Sequence, residues 1–265
     1  MNLRVGTLTA ERIESKRLQD LVKANHFNRS IFPVPEQFKN CNATALLSQV
    51  QRDANAFSAL LVGNCGFDLR NGYFTTPDAE ILYSMVNSHR PRRVIEVGSG
   101  SSTRLFRAAI SDHSLTCHLT SIDPCPRESV TAFADEIVRG PVEDVRSEFF
   151  EQLQANDILF VDSSHYVGCG SDVVYLMLRV APQLKSGVII HVHDVFLPYD
   201  YPADWMVDRR WNWNEQYLVQ AMLFHGEMFD AIWPGHFIQK SRQDFASYFR
   251  NWNGQNASSL WLRKR

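Results

Sequence analysis

Short apolar runs that end beside acidic or glycine residues recur along the chain from residue 91 onward, and they constrain its fold more than any other feature. RVIEV (93–97), LTSID (119–123), ILFVD (158–162) and GVIIHVH (187–193) are four such runs. Because they are continuously apolar rather than alternating, each suits a strand that is buried on both faces. Helix-like segments separate the runs and lie at 102–111, 127–136, 143–154 and 171–183. Strands that alternate with helices predict a parallel sheet covered by helices on both sides.

Two further apolar segments, at 229–234 and 258–264, resemble closing strands and follow a helical pattern at about 214–226. With these added, we expect an α/β fold over residues 66–265. Its core is predicted to be a doubly wound, mainly parallel sheet of seven strands with Rossmann-like topology, of which these runs are six.

Residues 1–65 have a different character, because helical patterns dominate and no strand-like run is present. Helices are predicted at about 10–24 and 43–62, on either side of a turn-rich stretch. A third helix is predicted over 77–89, with Thr76 as its N-cap. We therefore expect a helical N-terminal segment followed by the α/β domain.

Composition excludes several classes of protein. The chain has 265 residues, 27 Lys and Arg against 29 Asp and Glu, and a net charge of −2. This balance gives no electrostatic basis for binding nucleic acid. No run approaches the roughly 20 apolar residues of a membrane span, and the N-terminus lacks the apolar core of a signal peptide. The five cysteines are scattered and odd in number, so we expect free thiols and a cytoplasmic protein.

The stretch VIEVGSGSSTRLF is the most specific local signal. Gly98 and Gly100 leave a strand and lead into a helix, which is typical of a loop that lets the backbone approach a ligand closely. A dinucleotide-binding loop would place a third glycine where this chain has Thr103. Glu96 would repel a pyrophosphate but attract a cation. Asp123, at the end of the next strand, is placed to accept hydrogen bonds from both hydroxyls of a ribose.

EVGSGSST followed by TSIDP resembles the class I S-adenosylmethionine-dependent methyltransferases. The resemblance implies the Rossmann-like methyltransferase fold and S-adenosyl-L-methionine as the cofactor. It also implies that the glycine loop holds the methionine end and that the acid of the second strand binds the ribose. An acid after the third strand, Glu143 or Asp144, would line the adenine pocket. The residues assigned to the cofactor in this way are Glu96, Gly98, Ser99, Gly100, Ser101, Asp123 and Glu143.

A second group of polar residues follows the fourth and fifth predicted strands. Asp162 and His165 lie in ILFVDSSHYVG, and His193 and Asp194 end GVIIHVHD. Because the carboxyl ends of parallel strands meet at one edge of a sheet, these side chains are expected to converge. Carboxylates suit Mg²⁺, and a histidine near its ordinary pKa is a competent base at neutral pH.

This group is similar to the site of the metal-dependent sugar O-methyltransferases of macrolide biosynthesis and of the related cephalosporin hydroxylase. The resemblance implies that Asp162, His193 and Asp194 bind a divalent cation, and that His165 and Asp162 take part in catalysis. One position departs from the pattern, because His193 stands where those proteins have a glutamate. An imidazole at that position leaves three alternatives open, namely Mg²⁺, a softer divalent ion, or no metal.

The segment from 195 to 218 is rich in tryptophan, tyrosine and proline, and it is too long for a simple connection. Its aromatic side chains suit a lid that cradles a sugar or a flat ring, and Arg209 and Arg210 suit an anionic group on the substrate. Core packing and a contact in a homodimer are the alternatives. The helical segment 1–65 is expected to cover the acceptor site.

Together these features predict an enzyme that transfers a methyl group from S-adenosyl-L-methionine to a hydroxyl of a small-molecule or saccharide acceptor. No nucleic-acid or membrane partner is expected. Two alternatives remain open. One is a metal-dependent oxygenase or hydrolase on the same fold, and the other is a non-catalytic methyltransferase-like protein.

Overall fold

A seven-stranded sheet forms the centre of the protein. The computed structural model describes residues 2–63 and 65–265. The strands are β1 (Arg93–Val97), β2 (His118–Asp123), β3 (Glu136–Arg139), β4 (Ile158–Val161), β5 (Ile189–Val192), β6 (Phe229–Pro234) and β7 (Leu260–Lys264). They lie side by side in the order β3-β2-β1-β4-β5-β7-β6. The first five strands are parallel, and β7 is antiparallel to both β5 and β6. The prediction of a doubly wound, mainly parallel seven-stranded sheet with the Rossmann-like methyltransferase topology is confirmed.

Helices precede the sheet and connect its strands. Those before β1 are α1 (Asn2–Lys23), α2 (Glu36–Lys39), α3 (Ala43–Val62) and α4 (Asp78–His89). Those between or after the strands are α5 (Ser101–Asp112), α6 (Glu128–Thr131), α7 (Asp172–Tyr175), α8 (Ala203–Val207), α9 (Glu215–His225) and α10 (Gly235–Ser241). A π-helical turn, Leu176–Val180, and a 3₁₀ turn, Ala181–Gln183, extend α7. The predicted helical N-terminal segment is therefore present, and no helix in the described part of the chain is long and apolar enough to cross a membrane.

The two faces of the sheet bury two separate apolar clusters, because successive residues of a strand point to opposite sides. On one face, Val94 and Phe160 pack with apolar residues of α3, α4 and α5. On the other face, Ile95 and Val161 pack with the segment from 142 to 184 and with α9. Burial on both faces explains why the central strands read as unbroken apolar runs.

The sequence missed the edge strand β3. A helix is predicted over 127–136, but the chain forms only the single turn α6 and then enters β3 at Glu136. The two ends of β3 are exposed and its middle is only half-buried, so it lacks the continuous apolar signal of the central strands. Its pairing with β2 provides hydrogen bonds that local sequence does not reveal.

Two other local predictions are also wrong. In place of a helix over 143–154, the chain forms two short 3₁₀ helices, Val142–Asp144 and Ser147–Gln152. Thr76 does not cap α4, since Pro77 occupies the N-cap position. The Thr76 hydroxyl instead donates a hydrogen bond to the buried side chain of Glu80 at 3.1 Å.

The N-terminal segment contacts the aromatic-rich segment that follows β5. The backbone amides of Ile31 and Phe32 both donate to the carbonyl of Pro198 at 3.1 Å. The His26 ring lies 3.0 Å from the Asp200 carboxylate. α1 also packs against α8, which is part of the aromatic-rich segment. These contacts tie residues near the start of the chain to the loop beyond β5.

Phe160 is expected to make a large contribution to stability. Its ring is fully buried in β4, stacks on His191 at a centroid distance of 3.8 Å and meets Phe106 edge to face. Phe160→Ala should lower the free energy of unfolding by about 3–5 kcal/mol, because it leaves a cavity in the core. Val62→Ala, at a position that is 88% exposed, should change it by less than about 0.5 kcal/mol. Urea denaturation would measure both, and equal effects would contradict this account.

Candidate active site

The glycine loop lies where the ends of β1 and β4 touch. Gly98 has a backbone φ of +88°, and a Cβ atom at this position would overlap the carbonyl oxygen of Asp162. The Gly98 amide donates to Ile122 at 2.9 Å, and the Asp162 amide donates to Val97 at 3.0 Å. Only glycine satisfies both the left-handed backbone and the close approach. The loop after β1 and the loop after β4 therefore form one continuous surface.

Glu96 lies beneath this loop and is completely buried. Its two carboxylate oxygens accept hydrogen bonds from the hydroxyls of Ser102 and Thr103, both at 2.6 Å. The Thr103 hydroxyl also accepts from the Gly100 amide at 3.0 Å. Burial raises the pKa of Glu96 to about 8, although the two hydroxyl groups act in the opposite direction. The structure thus places Glu96 as a support of the loop, and its predicted contact with the cofactor stays a prediction.

A cavity of about 460 Å³ opens between the ends of β1, β2 and β4 and the turn after β3. Asp123 lies at its wall, where its carboxylate accepts hydrogen bonds from the Ser99 hydroxyl and, at 2.7 Å, from the Cys125 amide. Glu143 lines the same cavity from the 3₁₀ helix that follows β3. Gly98 and Ser99 form the floor between them. Four of the residues assigned to the cofactor are therefore brought together around one space.

A larger cavity, of about 620 Å³, adjoins the first. Ser99, Asp162 and Ser163 line both cavities, so these residues form a shared wall. Gly100 and Ser101, at the start of α5, line the larger cavity. The rest of its lining comes mainly from the segments before α4 and β7, from those after β2, β4 and β5, and from the aromatic-rich segment.

Asp162, His165 and Asp194 form a compact group in the larger cavity. The Nε2 atom of His165 lies 3.4 Å from Asp162 and 3.8 Å from Asp194. One ligand atom from each of these three residues lies within 4.8 Å of the others. His165 and Asp194 both have left-handed backbone conformations, with φ of 57° and 56°. Such conformations are uncommon outside glycine, and they aim both side chains at the same point.

The Nδ1 atom of His165 contacts a buried carboxylate on the side of the ring away from Asp162 and Asp194. This Nδ1 atom lies 3.0 Å from the carboxylate of Glu215, the first residue of α9, which is 1% exposed. Burial raises the pKa of Glu215, although the hydrogen bond to His165 opposes this. The sequence analysis missed this residue. Glu215 lies near the end of the aromatic-rich segment at the start of α9, where an acid is common for reasons of helix stability alone.

The pKa values of Asp162 and His165 each depend on the charge of the other. Burial would lower the pKa of His165, but hydrogen bonds to Asp162 and Glu215 outweigh burial and raise it well above its ordinary range. Burial would likewise raise the pKa of Asp162, yet the charge of His193 and the hydrogen bond to His165 lower it to about 2. Opposite charges at short range in a buried site stabilise each other's charged forms. The two carboxylates therefore favour the protonated form of the His165 ring over the neutral form.

His193 lies beside the group rather than within it. Its Nε2 atom is 3.7 Å from Asp194, its ring is 5.0 Å from that of Phe74, and its Nδ1 atom has no hydrogen-bond partner among the described residues. Burial opposes but does not prevent a raised pKa, which the carboxylates of Asp194 and Asp162 favour. The compact group thus consists of Asp162, His165 and Asp194. The sequence analysis assigned His193, and not His165, to the metal together with the two aspartates.

Asp194 is fixed by a network that sequence reasoning did not identify. The Ser258 hydroxyl donates to Asp194 at 2.9 Å, and the Ser258 and Ser259 amides donate to the buried carboxylate of Asp78 at 2.9 and 3.2 Å. Asp78 begins α4, and Ser258 lies two residues before β7. Both residues are far from Asp194 in sequence, so no local pattern links them.

Aromatic rings form a continuous wall from His165 towards the mouth of the larger cavity. The Trp213 ring lies 4.1 Å from His165, and Trp211 stacks on Trp213 at 4.3 Å. Trp205 meets both of these indoles at 5.1 Å. The predicted aromatic lid therefore faces the same cavity as the acid–histidine group.

Comparison with known proteins agrees with this architecture. Residues 95–195, which include the glycine loop, Asp123, Asp162 and Asp194, match the family described as "Methyltransferase domain". The matched segment has the fold of a class I methyltransferase domain. The domain thus contains the proposed cofactor residues and the acid–histidine group, whereas Glu215 and the aromatic wall lie outside the matched segment.

Three relatives illustrate the similarity. An uncharacterised protein of Archaeoglobus fulgidus is 29% identical over 100 residues, which are 36% of this chain and 45% of that protein. The chain thus matches less than half the length of this curated relative. CmcI with Mg and SAM is 16% identical, with 71% of each chain covered and a TM-score of 0.41. The O-methyltransferase TomG from Streptomyces achromogenes is 14% identical, with 83% of this chain and 88% of TomG covered and a TM-score of 0.43.

The raised pKa of Glu96 predicts a specific pH dependence of stability. The folded protein keeps the proton up to pH of about 8, whereas the unfolded chain releases it near the ordinary value of 4.5. Between these values the unfolded state binds fewer protons, so this group makes the protein less stable as the pH rises. Glu96→Gln cannot ionise and should remove that loss, which is at most about 1.4 kcal/mol per pH unit.

Urea denaturation of the wild type, Glu96→Gln and the exposed control Glu151→Gln, across that pH range, would test this. The Glu96→Gln curve should flatten relative to the wild type, while the control should follow the wild type. Parallel curves for all three proteins would show that Glu96 is ionised in the folded state.

Proposed function

We propose that this protein transfers a methyl group from S-adenosyl-L-methionine to a hydroxyl oxygen of a small-molecule or saccharide acceptor. The observation that carries this proposal is the pair of adjoining cavities, which share Ser99, Asp162 and Ser163. A cofactor in the smaller cavity and an acceptor in the larger one would meet at that wall. The glycine loop is open to both cavities, which argues against a non-catalytic protein that has lost its cofactor site.

The cofactor would extend along the carboxyl ends of β1 and β2. Asp123 would accept hydrogen bonds from the ribose hydroxyls, and Glu143 would lie near the adenine. The Ser101 amide at the start of α5, next to Gly100, favours the negative carboxylate of the methionine end. Glu96 would act through Ser102 and Thr103 by holding this loop in shape.

Methyl transfer from a sulfonium is an in-line displacement. The acceptor oxygen forms a bond to the methyl carbon, the carbon–sulfur bond breaks, and its electron pair returns to sulfur. The acceptor hydroxyl must also lose a proton, because a neutral alcohol is a poor nucleophile. We assign this task to the neutral form of His165, so the imidazolium must first release its proton to solvent before the ring can accept one from the acceptor. Its Nε2 atom faces the cavity, while Glu215 holds Nδ1 and so fixes the orientation of the ring.

The donor set of the group fits a divalent cation. Asp162 and Asp194 present two carboxylates on either side of the point where the His165 imidazolium now balances their charge. A cation held by these carboxylates would lower the pKa of an acceptor hydroxyl. The imidazole of His193, beside Asp194, is available as a further ligand.

The N-terminal segment completes the acceptor site in this proposal. Its contacts with Pro198 and Asp200 hold the aromatic-rich segment over the larger cavity. We propose that residues 1–65 act as this support and that residues 66–265 bind the cofactor and carry out the chemistry.

Binding of the cofactor is the first test. Calorimetry should detect S-adenosylmethionine or S-adenosylhomocysteine, and Asp123→Ala should weaken binding by roughly a hundredfold or more, because two hydrogen bonds to a charged group are lost. The exposed control Asp230→Ala, on β6, should bind like the wild type. Tight binding of NADH without a response to S-adenosylmethionine would contradict the proposal and favour a dehydrogenase.

The cation can be tested without an acceptor. Titration with Mn²⁺, followed by electron paramagnetic resonance, should show one bound ion in the wild type. Asp194→Asn should weaken its affinity by roughly tenfold or more, because an anionic oxygen ligand is lost. Asp230→Asn should leave the affinity unchanged. If the wild type does not bind Mn²⁺, or if Asp194→Asn binds it equally well, the group is a metal-free site.

A further inference from the structure

We infer that the methyl acceptor is an acidic molecule, a flat or saccharide ring that carries a carboxylate, sulfate or phosphate group bound by Arg127 and Arg209. The inference rests on the proposed methyl transfer and specifies its acceptor. It is carried by the larger cavity, which places the acid–histidine group at one end, an aromatic wall along its length and two arginines towards solvent.

The aromatic wall runs from His165 to Arg209 and would orient an acceptor between these two residues. Trp213 contacts His165, Trp211 stacks on Trp213, and the Arg209 guanidinium lies 4.8 Å from the centre of the Trp211 ring. A ring that lies along these indoles with its hydroxyl at His165 would have its far end beside Arg209. Stacked aromatic side chains bind flat rings and sugar faces, and a guanidinium beside them binds anions in a defined geometry.

Arg127 contributes a second cation to the lining of the larger cavity. It follows β2, and its guanidinium lies 5.0 Å from the centre of the Tyr73 ring, which belongs to the segment before α4. Both residues line the larger cavity. In the described part of the chain, Arg127 forms no ion pair with a carboxylate. An exposed arginine without an acidic partner at a cavity is available for an anionic ligand.

Arg209 has an acidic neighbour, but the pairing is weak. Its guanidinium lies 3.5 Å from Asp204, and both side chains are about half exposed, at 52% each. Exposed pairs of this kind contribute little, so an anionic ligand can replace Asp204 without a large cost. At the other end of the cavity, the carboxylates of Asp162 and Asp194 disfavour an anion. The charged group of the acceptor therefore belongs at the mouth, beside the arginines.

The test does not require the acceptor to be known. Small molecules extracted from cells that make the protein are separated on an anion exchanger at neutral pH. The retained and unretained fractions are then incubated with the protein and tritium-labelled S-adenosylmethionine. Labelled product should come from the retained fraction. In a parallel experiment the whole extract is treated with phosphatase before the separation. This treatment would abolish retention of a phosphate ester, whereas a carboxylate or sulfate would still be retained.

Variants link this result to the two arginines. Arg127→Gln combined with Arg209→Gln should raise the apparent KM for the retained fraction by roughly tenfold to a hundredfold, as expected when charged hydrogen bonds are lost. Its kcat, its Kd for S-adenosylmethionine and its melting temperature should stay near the wild-type values. Arg146→Gln, at a position whose side chain is 84% exposed and outside this cavity, is the matched control.

The outcomes separate the two proposals. Labelled product from the unretained fraction, or an unchanged KM in the double variant, would overturn the acidic acceptor and leave methyl transfer intact. S-adenosylmethionine binding without labelled product from either fraction would overturn transfer to a small molecule. A loss of S-adenosylmethionine affinity in the double variant would place Arg127 or Arg209 at the cofactor instead.

Discussion

The contact between Gly98 and the carbonyl of Asp162 is the constraint on which the site depends. Because residue 98 has no side chain, the loops after β1 and β4 lie against each other and share one wall. Ser99, Asp162 and Ser163 form that wall and line both cavities. A larger residue at 98 would push the loops apart and remove Asp162 from the position where both cavities meet.

Charge balance is the second constraint, because four acidic and two histidine side chains, all buried or half-buried, lie close together. Asp162 and Asp194 are balanced by His165, whose other nitrogen is held by Glu215. Asp78 is satisfied by backbone amides from the segment before β7. A buried charge is tolerated only when it is paired or hydrogen-bonded. The arrangement therefore depends on distant parts of the chain. Glu215 holds His165, and the segment before β7 contacts both Asp78 and Asp194.

The sequence predicted the parts of this structure that depend on local pattern. The bounds of β1, β6 and α3 agree with the predicted ranges, because continuous burial and helical periodicity are strong signals. The edge strand β3 was missed because it is short and partly exposed. The group of Asp162, His165 and Asp194 was predicted to converge, since all three follow parallel strands. Glu215 and Asp78 could not be predicted, because their roles depend on how distant elements pack, and the functional roles of all these residues stay predictions.

The stacked indoles of Trp211 and Trp213 also have an optical consequence. Both are only partly exposed beside the cavity, whereas Trp233 and Trp261 are completely buried in the core. A molecule that enters the cavity would change the surroundings of the first pair and leave the second pair as a constant background. Intrinsic fluorescence of the unlabelled protein should therefore report occupancy of the cavity in real time, and it could be used to screen compound collections directly.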